Sequence, residues 1–351
     1  MPEKTTSLSA PRRSRPTVVV LGDINIDILA RMGKFPHPGE DCLAPALEMH
    51  LGGVAANTAV ALARWGVRAR LVGCVGRDCF GDLALDLLRR AHVDASRVER
   101  TSRAMTGLMF IAVSADGQRT FFGSRGANSE MTRARVSGHL AGARAAHLLG
   151  YNFLSPSVAA VAGRVLKETR KRGGLVTLDV GMAPSQKIPQ KILQVARKVD
   201  ILFVGSDEAV ALVGEPNKLR AFDALRAHGA REVVMKLGEQ GCLFRENDAL
   251  REAPSFAVKV ADTTGAGDAF AAAYLWARLQ GWPGSEAALL ANAAGAAATC
   301  AVVAGEAMPT PQQVLRLMRA SRLSRDWDSV RAGVVERLSA EYSRDSRGRP
   351  E

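Results

Sequence analysis

Aromatic side chains make up only 5% of the 351 residues, and cysteines number 5. A chain this poor in rings and rich in Gly and Ala does not read as an aromatic-cored sandwich. It suits close helix-on-sheet packing. Cys42, Cys74, Cys79, Cys242 and Cys300 are scattered and odd in number, which excludes a disulfide framework and points to a reducing, cytoplasmic setting. Cys74 and Cys79, the one close pair, lack CxxC spacing and are expected to be buried thiols. No apolar run precedes Pro16, so no signal peptide is expected. The only long uncharged run, Ala287 to Gly305, is mostly Ala with Asn292, Gly295 and Thr299 set into it, and predicts a buried core helix rather than a membrane span. Acidic residues are the scarcer charge, 35 against 47 Lys and Arg, for a net +12. The arginines are spread along the chain and into polar tails, without RNA-binding aromatics or zinc-finger spacing, so no nucleic-acid partner is expected. The positive field favours an anionic small ligand. Also missing are GxxxxGK[ST], a full GxGxxG on the first strand–helix turn, HExxH and GxSxG. These absences count against P-loop, dinucleotide-binding, zinc-protease and serine-hydrolase chemistry.

What is there alternates. "TVVVLG" (17–22), "ARLVGCVG" (69–76), "AAHLLG", "LVTLDV", "DILFVG" and "EVVMKLG" read as strands, interleaved with helical segments such as "NTAVALARWG", 157–172 and a segment from Ser206. Apolar strands alternating with helices predict an α/β fold with a doubly wound, mostly parallel sheet flanked by helices. Two segments break the rhythm: 42–53, without helical period, and 107–123, two β-rich runs around Asp116-Gly117. They predict a small β-sheet lid, formed by segments about 31–53 and 105–128, on a domain spanning 17–320. A tail (1–16) and a polar extension (321–351) with at most one peripheral helix complete the chain.

The stretch "DTTGAGDAF" (262–270) lies between "AVKVA" (257–261), which reads as a strand, and a helix from about Phe270. The first amides of a helix have no internal partner and point outward with the positive end of the dipole. Gly265 and Gly267 let that backbone approach a ligand closely, so the turn suits a phosphate. Asp268 repels an anion already in place, but makes sense opposite a hydroxyl whose proton leaves as it attacks that phosphate. Alternatively, Asp268 simply caps the helix. Near the first strand, Asp23, Asn25 and Asp27 alternate and share one face. They suit either sugar hydroxyls or a polar turn.

Taken together, "VVVLGDINIDI", "LGGVAANTAVALARWG", "LVGCVGRDCFG", "KLGEQG", "DTTGAGDAF" and "LLANAAGAAAT" resemble, in order and rough spacing from about Thr17 to Gln313, the ribokinase-like (PfkB) carbohydrate and nucleoside kinases. The resemblance implies a ribokinase-like fold with a β-sheet lid and transfer of the ATP γ-phosphate to a hydroxyl, most simply a primary CH2OH, of a small sugar. It implies Asp268 as base and the amides of Gly265, Ala266 and Gly267 as the anion hole. Asp27, Asn25, Gly52, Gly53 and Asn57 would face the sugar, and Lys236, Gly238, Gly241, Asn292 and Thr264 the nucleotide. Glu208 would organise Mg2+ through water, although Gly205 stands where the family has Asn. Asp262 and Thr264, with the loop 302–307, would hold K+. Homodimers through the lid are implied as well, with Phe110, Phe121 and Phe122 supplying apolar area and the latter two on opposite faces. A nucleoside kinase of the same family is the alternative. A non-enzymatic sugar- or nucleotide-binding protein is a further one, against which the intact GAG and Asp268 count.

Overall fold

The computed structural model describes residues 15–115, 118–132, 138, 140–302 and 305–346. The tail before Arg15 and the Asp116-Gly117 turn lie outside the described residues. Fourteen strands form three sheets among these residues. The strands are β1 (Thr17–Leu21), β2 (Asn25–Arg31), β3 (Leu47–Gly52), β4 (Arg68–Val72), β5 (Cys74–Gly76), β6 (Glu99–Thr101) and β7 (Gly107–Val113). They continue with β8 (Arg119–Ser124), β9 (Ala143–Leu149), β10 (Leu175–Asp179), β11 (Ile201–Gly205), β12 (Glu232–Lys236), β13 (Cys242–Glu246) and β14 (Ala249–Ala253).

The central sheet runs β14-β13-β12-β11-β10-β9-β1-β4, parallel from β12 to β4 with an antiparallel β13–β14 hairpin at one edge. Its strands are apolar on both faces, as sheets covered twice must be. Val18 and Val20, Ile201 and Phe203, Val234 and Phe244 point to one side, into a core built with helices Val54–Arg64, Ala266–Leu279 and Gly284–Ala298. Val19 and Leu21, Leu202 and Val204, Val233 and Met235 point to the other, against Pro156–Lys171, Pro189–Ala196 and Lys218–Ala227.

The second sheet, β3-β2-β7-β8, is the lid. It begins earlier than the sequence suggests, because β2 crosses from the end of β1 into it. Register sorts its faces. Ile28, Met49, Phe110 and Phe122 lie side by side on the outer face. Asn25, Asp27, His50, Phe121 and Arg119 lie on the other.

Four expectations need correction. The run 69–76 is two strands, β4 and β5, broken at Gly73; β5 pairs with β6 in a separate two-stranded sheet. Residues 257–261 form no strand. The amides of Ala261 and Asp262 instead donate to the Thr299 carbonyl, at 2.7 and 3.1 Å, which ties the segment to a helix end rather than to a sheet edge. Cys79 is exposed at the start of its helix, while Cys74 is buried. The polar extension does form one helix, Arg325–Ser346, yet it is more than peripheral: Val334 and Leu338 are fully buried in the main core.

Candidate active site

Helix Ala266–Leu279 starts at the lid side of the central sheet. Its cap, Gly265, sits in the left-handed region at φ 79°, where a side chain would be strained. The Ala266 amide donates back to the Thr263 carbonyl at 3.2 Å, so it is not available as expected; the turn needs that bond to close. The amides of Gly265, Gly267 and Asp268 make no hydrogen bond with the described residues and form the open end of the dipole. Asp268 follows at once. Its Oδ2 accepts from Asn57 Nδ2 at 2.8 Å, and Asn57 Oδ1 accepts from the Gly305 amide at 3.1 Å. Asn57, expected on the sugar side, thus clamps the carboxylate. Burial pushes the Asp268 carboxyl up to about 7; the Asn57 bond opposes the shift, and nearby Asp179 adds to it.

The C-terminal ends of three adjacent strands supply the floor. Lys236, ending β12, donates to both oxygens of Asp179, ending β10, at 2.9 Å. A Cβ on Gly267 would stand 3.4 Å from Lys236 Nζ, so the ammonium adjoins the open amides. Burial works against the Lys236 charge, but Asp179 and Glu208 outweigh it and hold the amine protonated, its pKa raised. Glu208 Oε2 accepts from the Gly205 amide at 2.7 Å; burial raises its pKa and Lys236 lowers it. Among the described residues no three metal-ligating side chains gather at one point.

The acceptor side is walled by β2. Asn25 Oδ1 accepts from Asn128 Nδ2 at 2.8 Å, and Asp23 is held bidentate by Arg125 at 2.7 and 3.0 Å. Asp27 is different. It is 7% exposed, and its carboxylate has no hydrogen-bond partner among the described residues. Burial lifts it to about 6, partly opposed by His50 across the strand pair. Gly52 lies directly against it, where a Cβ would fall on the carboxylate. Gly53 caps the helix that carries Asn57.

The nucleotide-side expectations converge on one corner. Gly238 opens a short turn after β12, and a Cβ on Gly241 would meet the Ala253 carbonyl. The buried Asn292 amide donates to the carbonyls of Ala253 and Pro254 at 3.0 and 3.1 Å, so it is satisfied by the protein itself. Asp262 and Thr264 are also engaged. Arg119 Nη1, reaching from the lid, donates to Asp262 Oδ1 and to Thr264 Oγ1, the latter at 2.7 Å. Sequence reading did not single out Arg119, Asp179, Arg125 or Asn128 as site residues.

At the opposite end of the strands an open cavity of about 630 Å3 is ringed by arginines, Arg144, Arg170, Arg172, Arg231 and Arg278 among them. Arg170 and Arg172 donate to the carbonyls of Lys198 and Leu140, and Arg231 and Arg278 pair with Asp200 and Glu232. These cations serve backbone ends and surface carboxylates.

The sequence pattern of the pfkB family carbohydrate kinases matches residues 15–311. Ribokinase of Haemophilus influenzae is 28% identical over 310 residues, covering 87% of this chain and 99% of its own. Fructokinase-1 of Oryza sativa subsp. japonica is 32% identical over 295 residues, 79% and 91% of the two chains. The structure of Arabidopsis thaliana ribokinase complexed with ribose and ATP superposes with a TM-score of 0.77 at 27% identity, covering 88% of this chain and 100% of that one. The doubly wound sheet with its separate small mixed sheet is thus the ribokinase-like fold. The chain belongs to the pfkB family of carbohydrate kinases and is an ATP-dependent sugar kinase.

Proposed function

We propose that the protein moves the γ-phosphate of ATP to a primary hydroxyl of a small sugar of the ribose or fructose kind, with Asp268 as general base. The observation that carries this reading is a single one: a buried carboxylate with its pKa near neutrality, fixed by Asn57, directly beside the open amides of Gly265, Gly267 and Asp268. A base poised near the working pH takes the hydroxyl proton, while amides and dipole stabilise charge on the phosphoryl oxygens. Lys236 adds a positive charge at the same spot. Asp27 has a free carboxylate facing the site and accepts from the acceptor's other hydroxyls, with Asn25 beside it. Gly238, Gly241 and the corner that Asn292 holds together shape the adenosine side.

Mg2+ fits the floor. It takes one or two carboxylates and completes its shell with phosphates and water, so it needs no three-residue cluster. Glu208 would hold it through water, and the ion would supply positive charge to the phosphates of a bound nucleotide. A monovalent cation fits less well, because Arg119 already uses the Asp262 and Thr264 oxygens.

A second copy of the chain covers the outer lid face. Leu47, Met49 and Phe122 there are 59%, 49% and 55% exposed, and Phe35 stacks on Phe122. Bare apolar area of this kind on a four-stranded sheet calls for a partner. All five cysteines are free, in keeping with a cytoplasmic setting.

The test is ADP release in the presence of Mg2+ with ribose, fructose, ketodeoxygluconate, adenosine, inosine and cytidine. Turnover of a free sugar, abolished in Asp268→Asn, is expected. Turnover of nucleosides alone overturns the sugar reading, and full activity of the variant overturns the base.

A further inference from the structure

We propose that Arg119 is this enzyme's built-in cation: the lid's guanidinium takes the place of a monovalent ion between Asp262 and Thr264, so that phosphoryl transfer is independent of K+ and the phosphate loop is set only with the lid in place. The proposal rests on the reading of the 265–268 turn as the phosphate site.

Asp262 is 5% exposed. A carboxylate this deep needs a compensating charge and hydrogen bonds. It has both. The Thr264 amide donates to Asp262 Oδ1 at 2.7 Å, which folds the chain into the turn leading to Gly265. The Arg119 guanidinium donates to the same oxygen and to Thr264 Oγ1, so one side chain ties down both residues just before the open amides. Arg119 begins β8, in register with Val113 of β7, on the lid face that also carries Asp27 and His50. Leu29, Ile111 and Val113 of that face pack together with Val302, which seats the lid edge next to the phosphate loop. The pair joins residues 143 positions apart and ties the lid sheet to the loop that enters helix Ala266–Leu279.

The oxygens expected to bind K+ are therefore held by a planar, permanently charged donor. A metal cation between them would displace Arg119 and lie against its like charge. The arginine delivers what the ion would deliver, a positive charge and a fixed turn, with one difference: it arrives with the lid. Arg119 is thus a positioning residue, acting on the amides through Asp262 and Thr264.

The test compares wild type, Arg119→Ala and Arg119→Lys, in K+ and in tetramethylammonium. Wild-type turnover of its sugar is expected to be equal in both salts. Arg119→Ala in tetramethylammonium is expected to lose on the order of 10- to 100-fold in kcat, with the acceptor KM less affected. K+ or free guanidinium is expected to restore part of the loss, and Arg119→Lys to keep most of the activity. A thermal melt supplies a readout without catalysis: K+ should raise the melting temperature of Arg119→Ala and leave wild type unchanged. Should no sugar be turned over, the kinase reading fails, and the melt alone decides the cation claim. A wild type that slows several-fold without K+, or a melting temperature of Arg119→Ala indifferent to K+, overturns the proposal.

Discussion

The two large sheets of this enzyme are solved differently. The central sheet is closed by helices on both faces, and its residues Phe203 and Phe244 are wholly buried. The lid sheet turns one face to the active site; on the other, Ile26 and Leu51 join the main core while Phe122 and Met49 stand half in water. The central sheet carries the proposed chemistry: Asp179, Gly205 and Lys236 end its strands, and the Asp268 carboxylate is clamped by Asn57. In the proposed reading, the lid holds the acceptor's handle, Asp27, and the cation, Arg119. In that reading the closely packed layer positions the transferring group, while recognition of what receives it is left to the thinner, half-covered one.

The sharpest way to test this division is Asp268→Asn. Turnover should fall by roughly 10²–10⁴, the usual worth of a general base. Stability should go the other way. The folded-state carboxyl titrates near 7 and an unfolded one near 3.8, so the folded chain keeps a proton that the unfolded one gives up between those values. This group therefore makes folding less favourable as pH rises through that window, and above 7 the burden is full. The amide removes it, so the variant should melt higher than wild type at pH 8 and show little difference near pH 4. Equal melting temperatures at pH 8 would contradict the burial argument.

The packing contrast comes next. Phe203→Ala in the central sheet should cost about 3–5 kcal/mol in chemical denaturation. Phe122→Asp on the outer lid face should change monomer stability by less than about 0.5 kcal/mol, as exposed positions do, yet convert a dimer to a monomer in light scattering. A monomeric wild type at micromolar concentration would remove the partner from the comparison. Asp27→Ala should weaken the acceptor by about 10- to 100-fold while leaving ATP affinity in calorimetry nearly unchanged. Equal loss of both ligands would break the separation between lid and floor. A pH profile checks the same carboxylate without a substitution: below the Asp268 pKa of about 7, turnover should rise about tenfold per pH unit and then level off. A flat profile between pH 5 and 8 would assign the proton to another group.

Much of the central sheet was legible because buried parallel strands are apolar throughout and stop at Gly or Asp. The turn into helix Ala266–Leu279 was legible because Gly265 and Gly267 mark where the chain must bend tightly at the start of the helix. Residues 257–261 misled because alternation reports an extended chain but not whether a neighbouring strand exists to receive it. Arg119 was invisible for another reason. It is one of 47 basic residues, and only the register of β7 against β8 aims it at Asp262. Asp179 was passed over because its pairing with Lys236 joins two strands through the order of the sheet rather than the order of the chain. The closing helix had a signal, Trp327, Val330, Val334, Leu338 and Tyr342 along one stripe, hidden among arginines.

That helix carries one more consequence. The family pattern matches residues 15–311, and beyond it Val334 and Leu338 sit in the main core and Arg337 pairs with Glu286 at 3.4 Å. A premature stop codon just after Ala320 would spare every residue assigned to the site. It would also strip the outer cover from Gly284–Ala298, the helix that carries Asn292. Inherited or engineered truncations there should therefore behave as folding defects, giving little soluble protein, although no part of the reaction has been touched.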